Sequence, residues 1–218
     1  KKYAAAWETI ERLCEREAEL QGKGISLNTS LFRTAQTLVR MAAEDQKPSA
    51  ERLREYRDSA RESLLQQLFS PAPVYKDLEQ AKLADLIAFL MEMRGGGDPL
   101  VNEILDGQSP QHRANQLVQG TQLDDVAFRR KLAEGGADAI ENCKDPMIQL
   151  ALLVDPPARE LRKIEDEIEE EQRQAYAQIA EALFATQGTS TYPDATFTLR
   201  LAFGTVKGYE ENGMQIPP

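Results

Sequence analysis

From Tyr3 to Leu183 apolar residues recur at steps of three and four, and a single stretch, YPDATFTLRLAFGTVKGYE (192–210), alternates with a period of two. In that stretch Phe197, Leu199, Leu201 and Phe203 interleave with Thr196, Thr198, Arg200 and Ala202, which puts one apolar and one polar face on an extended segment. The expected fold class is therefore all-α: a multi-helix domain with a long C-terminal helix, followed by a short β segment. An isolated strand pair is marginal in water. The chain thus reads as a piece of a larger protein, with a helical domain over 1–188 and a β segment over 189–218 that belongs with strands elsewhere.

The helices can be placed from their punctuation. Tyr3, Trp7, Ile10 and Cys14, with Leu13 beside them, predict an amphipathic helix over 3–21 that stops at Gly22 and Gly24. Leu27, Leu31, Leu38 and Ala42 mark a second, ending near Lys47-Pro48. Ser49 can cap a third, carrying Leu53, Tyr56, Ala60, Leu64 and Leu68 until the prolines of SPAP (70–73) stop it. A fourth, over 75–94, has Leu78, Leu86, Phe89, Leu90 and Met93 as its apolar side and ends at Gly95-Gly96-Gly97. Those glycines read as a flexible joint; no Gly-Lys-Ser or Gly-Lys-Thr follows, so a phosphate loop is not supported.

The middle of the chain repeats one device: Asp98-Pro99, Ser109-Pro110 and Asp145-Pro146. In each, a side-chain oxygen can accept from an orphan amide while proline takes the first helical position, where no donor is lost. Short helices are expected from 99, 110 and 146, and another from about Asp124 to Gly135-Gly136. The last helix is expected after Asp155-Pro156-Pro157, with Leu161, Ile164, Ile168, Ala175, Ile179 and Leu183 on one face until Gly188, a rod of about 45 Å. Its centre, EDEIEEEQR (165–173), reads as a solvated acidic face rather than a cation site, since no ligand loop accompanies it.

Chemistry is harder to find. The formal charge is −10, which argues against a general nucleic-acid or anionic-membrane surface. No apolar run approaches the roughly 18 residues of a membrane span. Cys14 and Cys143 fit no metal or redox spacing and read as buried thiols. The one histidine, His112, falls on the first turn of a short helix and reads as a surface residue. No Gly-x-Ser-x-Gly or Gly-Asn-Ser-Gly turn presents a nucleophile. The residues alone name no catalytic group, no metal ligand and no cofactor.

The stretch at 192–210 resembles the segment that ends the helical domain of the bacterial dipeptidyl-peptidase 7 and 11 family, chymotrypsin-like serine exopeptidases, and leads back into their catalytic barrel. The matching positions are Pro193, Asp194, Ala195, Thr196, Thr198, Leu199, Arg200, Gly204, Val206, Gly208 and Tyr209. Asp98-Pro99, DGQSPQHRANQLVQGTQLDD (106–125) and DPMIQLALLVDPPARELR (145–162) are similar to that family's inserted helical domain.

The resemblance implies that the triad histidine and aspartate lie upstream and the serine downstream, so that none maps onto this chain. It further implies a cap over the barrel cleft that holds the free amine of a peptide substrate and blocks longer chains, in a periplasmic, cell-envelope or secreted parent. No cofactor, no nucleic acid and no membrane insertion are expected, the last two from the charge and the lack of a long apolar run, and the resemblance is compatible with a homodimeric parent. An asparagine that contacts the amine belongs to the family's helical domain, but Asn28, Asn102, Asn115 and Asn142 sit in no matching motif and take no role. The alternative is a non-enzymatic helical scaffold for protein partners; a carboxylate-based hydrolase would need two acids to converge in a pocket.

Overall fold

The computed structural model describes residues 3–188 and 204–216. Eight helices occupy the first of these spans: α1 (Ala4–Leu20), α2 (Ser30–Glu44), α3 (Arg61–Leu68), α4 (Lys76–Arg94), α5 (Pro99–Leu105), α6 (Pro110–Gly120), α7 (Val126–Glu141) and α8 (Pro146–Gln187). The second holds an antiparallel hairpin of β1 (Tyr209–Glu211) and β2 (Met214–Ile216). The all-α class with a long final helix and a short β segment is what the periodicity predicts.

The capping device works at all three expected positions. Asp98 accepts from the Val101 amide at 3.0 Å, Ser109 from His112 at 3.3 Å, and Asp145 from Met147 at 3.0 Å and Ile148 at 3.3 Å. Each is followed by proline in the first turn. Asp145 also accepts from the Thr121 hydroxyl and, at 2.8 Å, from the Gln122 amide. One buried carboxylate thereby ties the end of α6 to the start of α8.

Helices α2 to α7 and the first part of α8 form one core. α4 packs on α6, and α2 lies against α7 and the first part of α8. Leu31 and Leu38 of α2, Ile87 of α4, Leu117 of α6 and Ile148 of α8 are fully buried within it. Beyond Asp155, α8 leaves this cluster and runs antiparallel to α1. Arg12 pairs with Glu171 and Arg16 with Glu167, while Ala6 and Leu13 of α1 and Ile168 and Ala175 of α8 are buried. α1 is held by a narrow apolar seam with an ion-pair edge. The acidic face at 165–173 is solvated except where it meets the two α1 arginines.

Several expectations are corrected. The third helix does not run from Ser49: three short 3-10 turns (Ser49–Glu51, Arg54–Tyr56, Asp58–Ala60) precede α3. Each turn is closed by its own i to i+3 backbone bond, as from Tyr56 to Leu53 and from Ala60 to Arg57, and side chains take up amides left between the turns. The buried Glu44 carboxylate takes the Leu53 amide at 2.8 Å, Ser49 Oγ takes the Asp58 amide, and Arg52 donates to the Lys47 carbonyl. The last helix does not begin after Pro157; both prolines lie inside α8, which spans 42 residues, about 63 Å. Proline in a helix interior costs about 3 kcal/mol, and the buried run Met147, Ile148, Leu150, Ala151 and Val154 leading into it supplies the offset.

On α4 the buried stripe is Leu83, Ala84, Ile87 and Leu90, with Glu79. Of the expected face only Leu90 is buried, while Leu78, Phe89 and Met93 are exposed. The face of α1 is likewise rotated: Trp7 is 62% exposed and Cys14 is exposed, whereas Ala6 and Leu13 are buried. Cys143 is buried and both thiols are free. α7 is capped by Asp125 and continues past the expected stop, although Gly136 takes φ +60° and interrupts the helical dihedrals there. In 192–210, residues 192–203 lie outside the described residues and 204–208 are not strand. β1 and β2 turn at Asn212 (φ 53°) and Gly213 (φ 77°), the two left-handed positions of a tight hairpin turn.

Candidate functional site

Polar side chains converge where α2, the 3-10 segment and the middle of α8 meet. Arg40 and Glu44 come from one face of α2 at i, i+4 spacing, and Asp155, Arg159 and Arg162 from successive turns of α8. Asp155 accepts from Arg40 Nε at 2.6 Å and from Arg159 Nε at 2.5 Å. Glu44 accepts from Arg159 Nη1 at 2.6 Å, from Lys47 Nζ at 2.8 Å and from the Leu53 amide. Arg162 reaches Glu55 at 2.5 Å. Among the described residues Arg159 Nη2 is buried without a partner.

The electrostatics make this cluster a clamp. Burial alone would raise the Glu44 carboxyl, but Lys47, Arg159 and the Leu53 amide outweigh it and bring it down to about 2. Burial pushes the Tyr56 phenol up to about 12. The Glu55 carboxyl is held down by its hydrogen bond from Arg162. A general acid or base works best with a pKa near the operating pH, and Glu44 and Tyr56 stand far from it on opposite sides. Glu44 stays ionised and Tyr56 protonated; Glu44, through Arg159, holds α8 against α2 beside the two prolines.

Beside the clamp runs a groove of about 720 Å³, walled by Leu53, Arg159, Arg162, Lys163, Asp166 and Glu170 among others. A second cavity, of about 360 Å³, opens between the first turns of α2 and the segment after α3, with Arg33 and Arg129 as its charged residues. Among the described residues no group of three or more His, Cys, Asp or Glu side chains could hold a metal ion, and no helix is long and apolar enough to cross a membrane.

The residues singled out in the sequence are not brought together. His112 sits exposed on the first turn of α6, and its imidazole has no carboxylate partner among the described residues. Asn28, Asn102, Asn115 and Asn142 are exposed on four separate segments. Of the motif at the end of the chain, Pro193, Asp194, Ala195, Thr196, Thr198, Leu199 and Arg200 lie outside the described residues. Gly204, Val206 and Gly208 are exposed, and Tyr209 pairs with Ile216 in the hairpin. The clamp was missed in the sequence because its members lie up to 115 residues apart. Only the i, i+4 pairs Arg40/Glu44 and Asp155/Arg159 hinted at it.

A family model described as Peptidase S46 matches residues 1–218. The chain belongs to the Peptidase S46 family, the family that the motif at 192–210 resembles, and so to a family of peptidases.

Proposed function

We propose that this chain is the helical cap of a serine-type dipeptidyl aminopeptidase, placed over a catalytic barrel that the rest of the protein supplies. Residues 1–188 form the cap and 189–218 lead towards the barrel. In this reading the substrate is an oligopeptide with a free N-terminus, and the cap closes the cleft about two residues from the scissile bond. The acyl-enzyme forms on a serine outside this chain, whose leaving amine and oxyanion are served by triad and backbone groups also outside it.

One observation carries the reading. A chain matched from end to end by a peptidase family has a single histidine, and that histidine is exposed and bonded to no carboxylate among the described residues. Triad chemistry needs a base hydrogen-bonded to both its nucleophile and an orienting acid. Among the described residues His112 has no such acid. The experiment is to offer the 218-residue chain dipeptidyl-coumarin substrates: no turnover is expected, and turnover abolished by a serine-directed inhibitor would overturn the proposal.

A further inference from the structure

The cavity between α2 and the segment following α3 brings two guanidiniums, hydroxyls and an apolar wall together. Along α2, Ser30, Arg33, Thr34 and Thr37 line it at i, i+3, i+4 and i+7, one face of the helix. Opposite, Arg129 of α7 lines it together with Ser70 and an apolar wall of Leu64, Pro73 and Val74. Among the described residues no acidic side chain lines the cavity, in a protein whose formal charge is −10.

Arg129 is 6% exposed. Its Nη1 donates to the Leu68 carbonyl at 2.6 Å and its Nη2 to the Ser70 carbonyl at 3.1 Å, while Nε has no partner. Among the described residues no carboxylate lies within ion-pair distance of it. A buried guanidinium with no carboxylate in direct contact is costly, and burial draws its proton affinity down against the more distant pull of Asp125 and Asp124. Arg33 has no hydrogen bond or ion pair among the described residues, nor have the hydroxyls of Ser30 and Thr37. The adjacent amides of α2 are already used: Glu79 accepts from Ser30 and Leu31, and Thr29 from Phe32. A ligand here is held by side chains, not by a helix terminus.

Two guanidiniums, free hydroxyls and an apolar wall suit a carboxylate carried on a short apolar body better than a phosphate, which would leave the wall uncovered. The volume, about 360 Å³, lies in the range of small-ligand sites. We propose that this cavity binds the C-terminal carboxylate of a short peptide, with Arg33 and Arg129 facing the carboxylate and Leu64, Pro73 and Val74 facing the side chains. The choice of a peptide rests on the peptidase reading above; the carboxylate site itself does not.

Isothermal titration of the 218-residue chain with Ala-Ala, its C-terminal amide, acetate and inorganic phosphate tests the assignment. Saturable binding of Ala-Ala is expected, with at least tenfold weaker binding of the amide and of phosphate. R33A should weaken Ala-Ala at least tenfold with an unchanged melting temperature, because Arg33 is exposed and makes no bond in the fold. R129Q should weaken Ala-Ala as much where it folds, with a lower melting temperature because Arg129 also bonds the Leu68 and Ser70 carbonyls, and R33A decides where it does not. Equal binding of the dipeptide and its amide, binding of phosphate as tight as that of the dipeptide, binding of acetate alone, or R33A without effect would each overturn the proposal. The cap reading fails separately: a catalytic serine found within this chain would end it and leave a positive titration standing.

Discussion

Replacing Glu44 with Gln tests whether the clamp between α2 and α8 holds the fold. The Glu44 side chain is fully buried and bonded to Arg159, Lys47 and the Leu53 amide, and its carboxyl is lowered from 4.5 to about 2. A depression of about 2.5 units, at 1.36 kcal/mol per unit, corresponds to about 3 kcal/mol of stability in the ionised state. Since the folded carboxyl titrates below its unfolded value, that stability is complete above about pH 4.5 and is lost as pH falls towards 2. Urea unfolding followed by circular dichroism should show E44Q less stable than the wild type by about 3 kcal/mol near neutral pH. The gap between them should narrow steadily below pH 4.5. A difference under about 0.5 kcal/mol at neutral pH, or one that does not change with pH, would refute the assignment of Glu44 as the anionic centre of the clamp.

Other substitutions probe other parts of the architecture. Asp145→Ala removes five short contacts, to Thr121, Gln122, Met147 and Ile148, and should cost about 3 kcal/mol in urea unfolding. Leu13→Ala opens the seam between α1 and α8, where Leu13 is fully buried. It should cost about 3 kcal/mol, and hydrogen exchange should quicken in α1 before the core around Leu38 and Ile148 responds. The double change P156A/P157A restores two helical donors in the interior of α8. It should raise the melting temperature through a gain of at least about 1 kcal/mol after the lost rigidity of the unfolded chain; a lower melting temperature would argue that α8 is not one helix.

What the sequence made legible was local. Caps whose donor and acceptor lie within three residues, at Asp98, Ser109 and Asp145, are governed by the chain's own chemistry and fall where expected. The faces of α1 and α4 are set by distant partners. Trp7, Phe89 and Met93 satisfy the helical period as well as Ala6, Leu13 and Ile87 do, and only packing on α8 and α6 decides between the two. The high local cost of Pro156 and Pro157 points to a helix start, yet the burial of α8 on both sides outweighs it. The 3-10 turns after Ser49 were illegible for the same reason, since the Glu44 carboxylate that takes the Leu53 amide comes from another helix. Asn212-Gly213 was a readable hairpin signal that the alternation upstream of it obscured. The resemblance to the peptidase family is carried by 192–210 and the helical motifs, not by any reactive group.

The claim that matters most is that the reacting serine lies outside these 218 residues. It is tested directly by labelling the full-length protein with a fluorophosphonate and locating the adduct by peptide mass spectrometry. The account predicts an adduct on a serine outside this segment, with loss of dipeptide release in proportion to labelling. An adduct on any serine within residues 1–218, accompanied by the same loss of activity, would contradict it.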